Sequence, residues 1–388
     1  MKYTFIVQGE GRGHFTQAIA LQQILHKAGH QVTSVLVGTT KGRVIPDFFT
    51  EQIKTPINTF ESPNMAYNPK KLKTNVFKTL LQSFSELPKY VKSLLKINAF
   101  VKASKPDVII NFYEVMGGLY GGFFRPKVPI IAIAHQYLLL HKDFIAPKHD
   151  PLSLFFLNLN TSVTAWGSTK KLALSFRNLP SETHRQSFIT PPLLRSEALT
   201  INQLPQSDAI LAYVTYPALA EEIKVWHKAN PAIKIDCFWD EKTSPQVFQA
   251  SPNLTFYRLD ATLFLEKMKT CTALVTTAGF ESVCEAMYWG KPVLMMPAHI
   301  EQACNALDAQ RAGAGIAARH FDLDRLMDYL PVYQDIIPTF RTWSEQAEAT
   351  FLTELTNIKL SSKRPKRINL RVNWPRFSNP SLGRLARI

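Results

Sequence analysis

The pattern that most constrains this chain is a double series of short, continuously apolar segments alternating with helical periods, interrupted once by a polar stretch. In the first series, residues 3–8 read as a strand, 15–27 as a helix and 31–37 as a strand. Residues 107–112 and 129–134 are later strands, each following a Lys/Pro boundary. Strands that are apolar on both faces belong to a parallel sheet covered by helices on either side. The pattern fades over 194–207 and then restarts: strand 209–214, helix 219–229, strands 233–238 and 255–257, helix 261–269, strand 273–276, helix 281–289 and strand 292–296. Two such series predict an α/β chain of two doubly wound, Rossmann-like domains facing across a cleft, and 388 residues suit two cores of ordinary size. The expected units are 1–200, 207–338, a terminal helix over 339–358 and a basic tail over 361–388. Periodicity does not decide whether the terminal helix stays with the second unit or crosses back to the first.

Hydrophobic residues make up 46% and charged residues 19%, the balance of a folded rather than a disordered chain. Cys237, Cys271, Cys284 and Cys304 are scattered, with no C-x-x-C pair; this is neither a disulfide framework nor a zinc site, and it fits a reducing cytoplasm. Gln8 and Glu10 interrupt the first apolar run too early for a signal peptide, and no stretch approaches the roughly 18 apolar residues of a membrane span. The expectation is a cytoplasmic protein, soluble or peripheral on the inner membrane face.

The net charge of +15 is unevenly placed. From residue 361 onward there are eight Lys or Arg and no acidic residue, and between Lys70 and Lys105 there are nine lysines against Glu86 alone. Such patches favour polyanions. The lysines alternate with Val76, Phe77, Leu80, Leu81, Phe84, Leu94, Leu95 and Phe100, which predicts one or two basic amphipathic helices broken near Pro88. They either pack on the core with a solvated basic face or lie on an anionic membrane surface, where Trp374 and Phe377 of the tail would add anchoring. No nucleic-acid-binding module is present in the pattern, so nucleic acid is not an expected partner. Nothing in the pattern specifies an oligomeric state.

The segment Thr276, Thr277, Ala278, Gly279, Phe280, Glu281, Ser282 ends a predicted strand and opens a helix. Gly279 permits a tight turn and close approach of a ligand. Free N–H groups near Phe280, Glu281 and Ser282, with the helix dipole, favour a phosphate there, and the Ser282 hydroxyl can add a hydrogen bond. Glu285 lies one turn on, with a carboxylate suited to a ribose diol. Gly290 stops the helix, Pro292 starts a strand and Pro297 ends it; the next loop offers Glu301, Gln302 and Asn305 to sugar hydroxyls. The alternative for the segment is an ordinary strand–turn–helix capped by Glu281 or Ser282.

Residues 276–306 resemble the donor-binding signature of GT-B glycosyltransferases, similar in kind to UDP-glycosyltransferases and to the GlcNAc transferase of peptidoglycan synthesis. Gly279, Ser282, Glu285, Gly290, Pro292, Pro297, Glu301, Gln302, Asn305 and Ala306 fall in register with it. Thr277 stands where those families frequently carry His, so an imidazole contact to the diphosphate is replaced by a hydroxyl. The resemblance implies phosphate contacts around Gly279 to Ser282, ribose binding by Glu285, and donor-sugar contacts by Glu301 and Gln302. Arg258 and Leu259, in the loop after a strand, are the expected place of base recognition. The implied reaction moves a sugar from a nucleotide-diphosphate sugar, UDP-linked or similar, to an acceptor hydroxyl, with a lipid-linked or envelope glycan as a candidate acceptor.

The loop Gly9-Glu10-Gly11-Arg12-Gly13-His14 joins the first strand to the first helix. No acidic residue ends the second strand, which argues against a nicotinamide dinucleotide site. The same GT-B families place a Gly-His at this turn, on the acceptor side, and the resemblance suggests His14 as general base; its alternative is a helix-capping histidine. Glu114, beyond the strand 107–112, is the candidate to orient that base, and His135 at an equivalent edge is a candidate for acceptor binding. Arg12 would hold a phosphate or an acidic acceptor, or be solvated. Asp322 and Asp324 match the D-x-D of metal-dependent transferases, but their position before Arg325 reads as a helix cap. No metal or cofactor is expected beyond the nucleotide sugar as substrate. Two other classes remain open at this point: a sugar-nucleotide 2-epimerase, and a non-catalytic nucleotide-sugar-binding partner.

Overall fold

A computed structural model describes residues 1–40, 43–63, 76–200, 205–214, 217–241, 243–319, 321–334 and 336–358. The first half builds a seven-stranded sheet from β1 (Lys2–Gln8), β2 (Gln31–Thr39), β3 (Ile57–Glu61), β4 (Val108–Phe112), β5 (Ile130–Ala134), β6 (Lys170–Leu174) and β7 (Ser187–Thr190). Its order is β3-β2-β1-β4-β5-β6-β7, and every pairing is parallel. The second half forms another seven-stranded sheet: β8 (Ile210–Val214), β9 (Ile235–Trp239), β10 (Val247–Ser251), β11 (Leu254–Arg258), β12 (Ala273–Thr276), β13 (Val293–Met295) and β14 (Gly315–Ala317). Its order is β10-β11-β9-β8-β12-β13-β14, parallel except for the β10–β11 hairpin. The expected pair of doubly wound sheets is therefore present.

The helices are α1 (Gly13–Lys27), α2 (Asp47–Gln52), α3 (Val76–Ser104), α4 (Val115–Phe124), α5 (Pro151–Thr164), α6 (Ser196–Leu199), α7 (Pro217–Ala229), α8 (Ala261–Thr270), α9 (Phe280–Tyr288), α10 (Ile300–Arg311), α11 (Leu323–Tyr329), α12 (Ile337–Glu345) and α13 (Ala347–Thr356). The central strands β4 and β5 are buried at every position, as a parallel sheet covered on both faces requires. Strands β3, β6, β7, β10 and β14 were not among the strands expected from apolar runs. Each is short or starts in polar residues, and β10, an edge strand, is almost wholly exposed. Partial burial leaves no continuous apolar signal to read.

Helix α3 runs unbroken through Pro88, where the sequence suggested a break. In the part beyond the proline, Ser93, Ile97 and Val101 are buried on the sheet side. Lys70, Lys71, Lys73 and the basic tail with Trp374 and Phe377 lie outside the described residues. Among the described residues, no helix is long and apolar enough to cross a membrane.

Helices α12 and α13 return to the first sheet. Trp343 Nε1 donates to the Ser175 carbonyl at 3.0 Å, Lys170 Nζ pairs with Glu354 at 2.8 Å, and Phe351 and Leu355 are fully buried. Arg341 on α12 simultaneously donates to the Tyr288 carbonyl at the end of α9, at 2.8 Å.

Each sheet has a point where strand order reverses: β1/β4 in the first, β8/β12 in the second. The carboxyl ends of strands at such points open a crevice, because the following connections leave in opposite directions. Residues 9–13 and 113–114 line the first crevice, and residues 277–279 the second.

Candidate active site

The two crevices meet. Two residues beside them carry positive φ without being glycine: Tyr113 (φ 55°) after β4 and Ala278 (φ 66°) after β12. A side chain held in this region costs on the order of 1 kcal/mol or more and persists where its surroundings dictate it, typically at ligand-binding turns. The tight turn expected at Gly279 is thus made one residue earlier. Gly279 itself is extended (φ −63°, ψ 133°) and a Cβ there would meet only Ser282 Oγ, at an ordinary 3.4 Å.

Helix α9 starts immediately after this turn, and no side chain caps it. Its first-turn N–H groups therefore keep their capacity for an anion, as the dipole favours. Ser282 Oγ donates to the Gly279 carbonyl at 3.1 Å. Thr277, nearly buried, accepts from Gln302 Nε2 at 3.2 Å, while Gln302 Oε1 accepts from the Ala298 N–H and Asn305 Nδ2 donates to the Ala278 carbonyl. Thr277, Gln302 and Asn305 thus brace the turn from α10. Phe280 is buried, and its ring stacks on His135 at 4.6 Å and 4°.

His14 stands in the first turn of α1, 7% exposed, stacked on Tyr113 (5.6 Å) and facing His135 (6.5 Å). Its Nδ1 lies 3.4 Å from Gln17 Oε1, and Gln17 Nε2 donates to Glu281 Oε1 at 2.5 Å. A Cβ on Gly13 would meet the Glu281 carboxylate where it now lies, so glycine there leaves room for this position of the side chain. Burial pulls the His14 pKa below the usual imidazole value, against the opposing charges of Glu281 and Glu301. The ring is therefore a neutral base near pH 7, as proton abstraction requires.

Glu301 accepts from Gln136 Nε2 at 2.9 Å and lies 3.3 Å from His135 Nε2. Burial alone would push its carboxyl up, but the hydrogen bond and charge of His135, with His299 and His14, hold it down to about 2. His14, His135, Glu281, Glu301 and Gln302 are thus gathered where the halves meet.

Other candidate side chains have partners of their own. Glu114 does not orient His14: its Oε1 caps α4 by accepting from Met116 N at 3.0 Å and from Ser62 Oγ at 2.5 Å, while the imidazole turns to Gln17. Buried beside Gly38, Glu114 has a pKa raised to about 7 by desolvation. Glu285 is 2% exposed and each of its oxygens accepts one bond from Arg195, at 2.7 and 2.9 Å. Arg12 is half-buried, with its guanidinium 4.8 Å over the Phe48 ring. Leu259 is partly buried against the core and Arg258 is exposed. As the sequence suggested, Asp322 caps α11 by accepting from Arg325 N at 3.1 Å. Gly11 takes φ +82° with open space around it.

Gln17, Tyr113 and Arg195 are site residues the sequence reading did not single out. Gln17 was detectable, being three residues after His14 and hence on the same helix face. Arg195 was not, because it lies in the aperiodic stretch between the two series.

The comparisons with known proteins agree with this geometry. The family model for glycosyl transferase family 1 matches residues 1–333. Similar curated proteins include an uncharacterized glycosyltransferase of Methanosarcina acetivorans, 24% identical over 346 residues and covering 81% of this chain and 83% of the relative. Another, from Methanosarcina mazei, is 23% identical, with 81% and 85% covered. Among solved structures, spinosyn rhamnosyltransferase SpnG complexed with thymidine diphosphate is similar at TM-score 0.59 and 13% identity, over 92% of this chain and 100% of that one. The calicheamicin glycosyltransferase CalG4 is similar at TM-score 0.61 and 11% identity (91% and 97% covered), and Phytolacca americana UGT2 complexed with UDP-2fluoro-glucose and pterostilbene at 0.61 and 12% (92% and 98%). With a family model spanning most of the sequence and a GT-B arrangement of its two sheets, the chain belongs to glycosyl transferase family 1 and is a transferase enzyme.

Proposed function

We propose that the protein transfers a glycosyl group from a nucleoside-diphosphate sugar to an acceptor hydroxyl by one inverting displacement, without a metal. The acceptor oxygen bonds to the anomeric carbon as the bond from that carbon to the diphosphate oxygen breaks. The hydroxyl proton passes to His14, and the diphosphate leaves with the electron pair. The observation that carries this reading is the meeting of the uncapped start of α9 with His14 across the cleft, through Gln17 and Glu281. The helix terminus stabilises charge growing on the leaving diphosphate. Neighbours in fold solved with thymidine diphosphate and with UDP-2fluoro-glucose support a nucleotide donor of this kind.

Thermal-shift screening with UDP- and TDP-sugars should single out a donor, and transfer to an acceptor should follow. His14→Ala should lower kcat by about 10²- to 10⁴-fold with donor affinity kept. Wild-type transfer by His14→Ala removes the base; conversion of UDP-GlcNAc to ManNAc without any acceptor would make the enzyme an epimerase instead.

We also propose that α3 lies on an anionic membrane and brings a lipid-linked acceptor to the cleft. Leu87, Val91 and Leu95, four residues apart on one helix face, are each more than half exposed, and Lys89, Lys92 and Lys96 flank them. Replacing all three apolar residues by Glu should abolish sedimentation with phosphatidylglycerol vesicles. Undiminished binding by that variant assigns the stripe no such role.

A further inference from the structure

We infer that the carboxylate that positions the catalytic base comes from the donor half: Glu281, acting through the Gln17 amide, fixes the tautomer and charge environment of His14. This rests on the reading of His14 as base. Three contacts carry it. His14 Nδ1 meets the amide oxygen of Gln17 at 3.4 Å, an arrangement satisfied by an Nδ1–H donor, because an amide oxygen only accepts. The other end of the same amide donates to Glu281 Oε1 at 2.5 Å, which orients the amide so that its oxygen faces the ring. Gly13 supplies the room, since any Cβ there would overlap the Glu281 carboxylate.

The consequence is chemical. With the proton on Nδ1, Nε2 carries the lone pair that takes a proton from the acceptor. As the imidazolium forms, its positive charge is stabilised by Glu281, one amide away. The other ionisable groups facing the ring do not duplicate this. His135, stacked at 6.5 Å, opposes the imidazolium charge if protonated, while Glu301 is engaged by His135 and Gln136. Tyr113 lies flat against the ring and its hydroxyl bonds Thr161 at 2.7 Å. Glu114, the carboxylate of the first half nearest in sequence logic, is committed to Ser62 and Met116.

Glu281 also stands in the first turn of α9, the helix whose start is open to a diphosphate. Base and leaving-group site are therefore linked through one residue. The base is fully arranged only when the two halves are closed on each other.

The test uses the full-length enzyme with an identified donor and acceptor. Glu281→Gln keeps a side-chain acceptor for Gln17 and removes the charge. Its acidic limb in kcat against pH should move down by about one unit, because loss of a nearby negative charge lowers the imidazole pKa. Gln17→Leu should lower kcat about tenfold or more with donor KM within twofold, and Gln17→Asn should not rescue it, the shorter amide failing to span both partners. In ¹⁵N-labelled wild type, His14 should show the Nδ1–H tautomer, and Gln17→Leu should shift it toward a mixture. An unmoved acidic limb in Glu281→Gln, or an unchanged tautomer in Gln17→Leu, overturns the relay while leaving His14 as base. Undiminished transfer by His14→Ala overturns the underlying reading instead, so the two failures are separable.

Discussion

At the scale of single residues, chemistry in this protein follows from who occupies each polar atom rather than from residue type. Glu114 and Glu285 both carry carboxylates at positions where a sequence reading favours function. Each is almost completely buried, Glu114 with its Oε1 engaged as a helix cap and Glu285 in a two-bond pair with Arg195. Breaking a buried pair strands the remaining charge, typically at about 3–5 kcal/mol. Glu285→Ala should therefore lower stability by about that amount in chemical denaturation, and Glu285→Ala with Arg195→Met should recover much of it. A Glu285→Ala variant of native stability with weakened donor binding would instead return Glu285 to the ribose. The motif residue Gly279 teaches the same lesson: it was expected to make the turn, yet the left-handed residue is Ala278.

At the scale of elements, helices are placed by small residues on the faces they press together. Helix α4 packs Gly118 against the end of α5, where a Cβ would fall 2.0 Å from the Val163 carbonyl and against the Thr164 backbone. No flexible side-chain end is available to yield, so the helices would have to separate. Gly118→Ala should cost about 1–3 kcal/mol, read as a lowered Tm; an unaltered Tm means the interface has slack. Helix α3 shows the complementary rule. Its Pro88 predicts an interruption, yet the helix continues, and beyond the proline it packs Ile97 and Val101 against the sheet. Each strand that escaped the sequence reading, β3, β6, β7, β10 and β14, has at least one position that is not fully buried. A half-covered strand need not be continuously apolar, so its pattern merges with a loop.

At the scale of the whole molecule, the site exists because two sheets of the same construction turn their strand-reversal points toward each other. One core cluster joins side chains of both halves, including Leu193, Leu194, Leu211 and Phe280. The terminal helices add to this joint, with α12 bonded to α9 and α13 lying against α1 and the first sheet. The sequence by itself determined the alternation of strand and helix, the parallel and doubly wound character of both sheets, and the glycine-bearing turns that end in His14 and in Phe280. These are legible because burial on both faces imposes local apolar runs, and turns demand particular residues nearby in the chain. Tertiary structure alone decided which polar groups find each other: Gln17 with Glu281, 264 positions apart, Arg195 with Glu285, and His135 with Glu301. No local periodicity records such pairings, because electrostatic and hydrogen-bond partners are selected by distance in space after the two halves have closed.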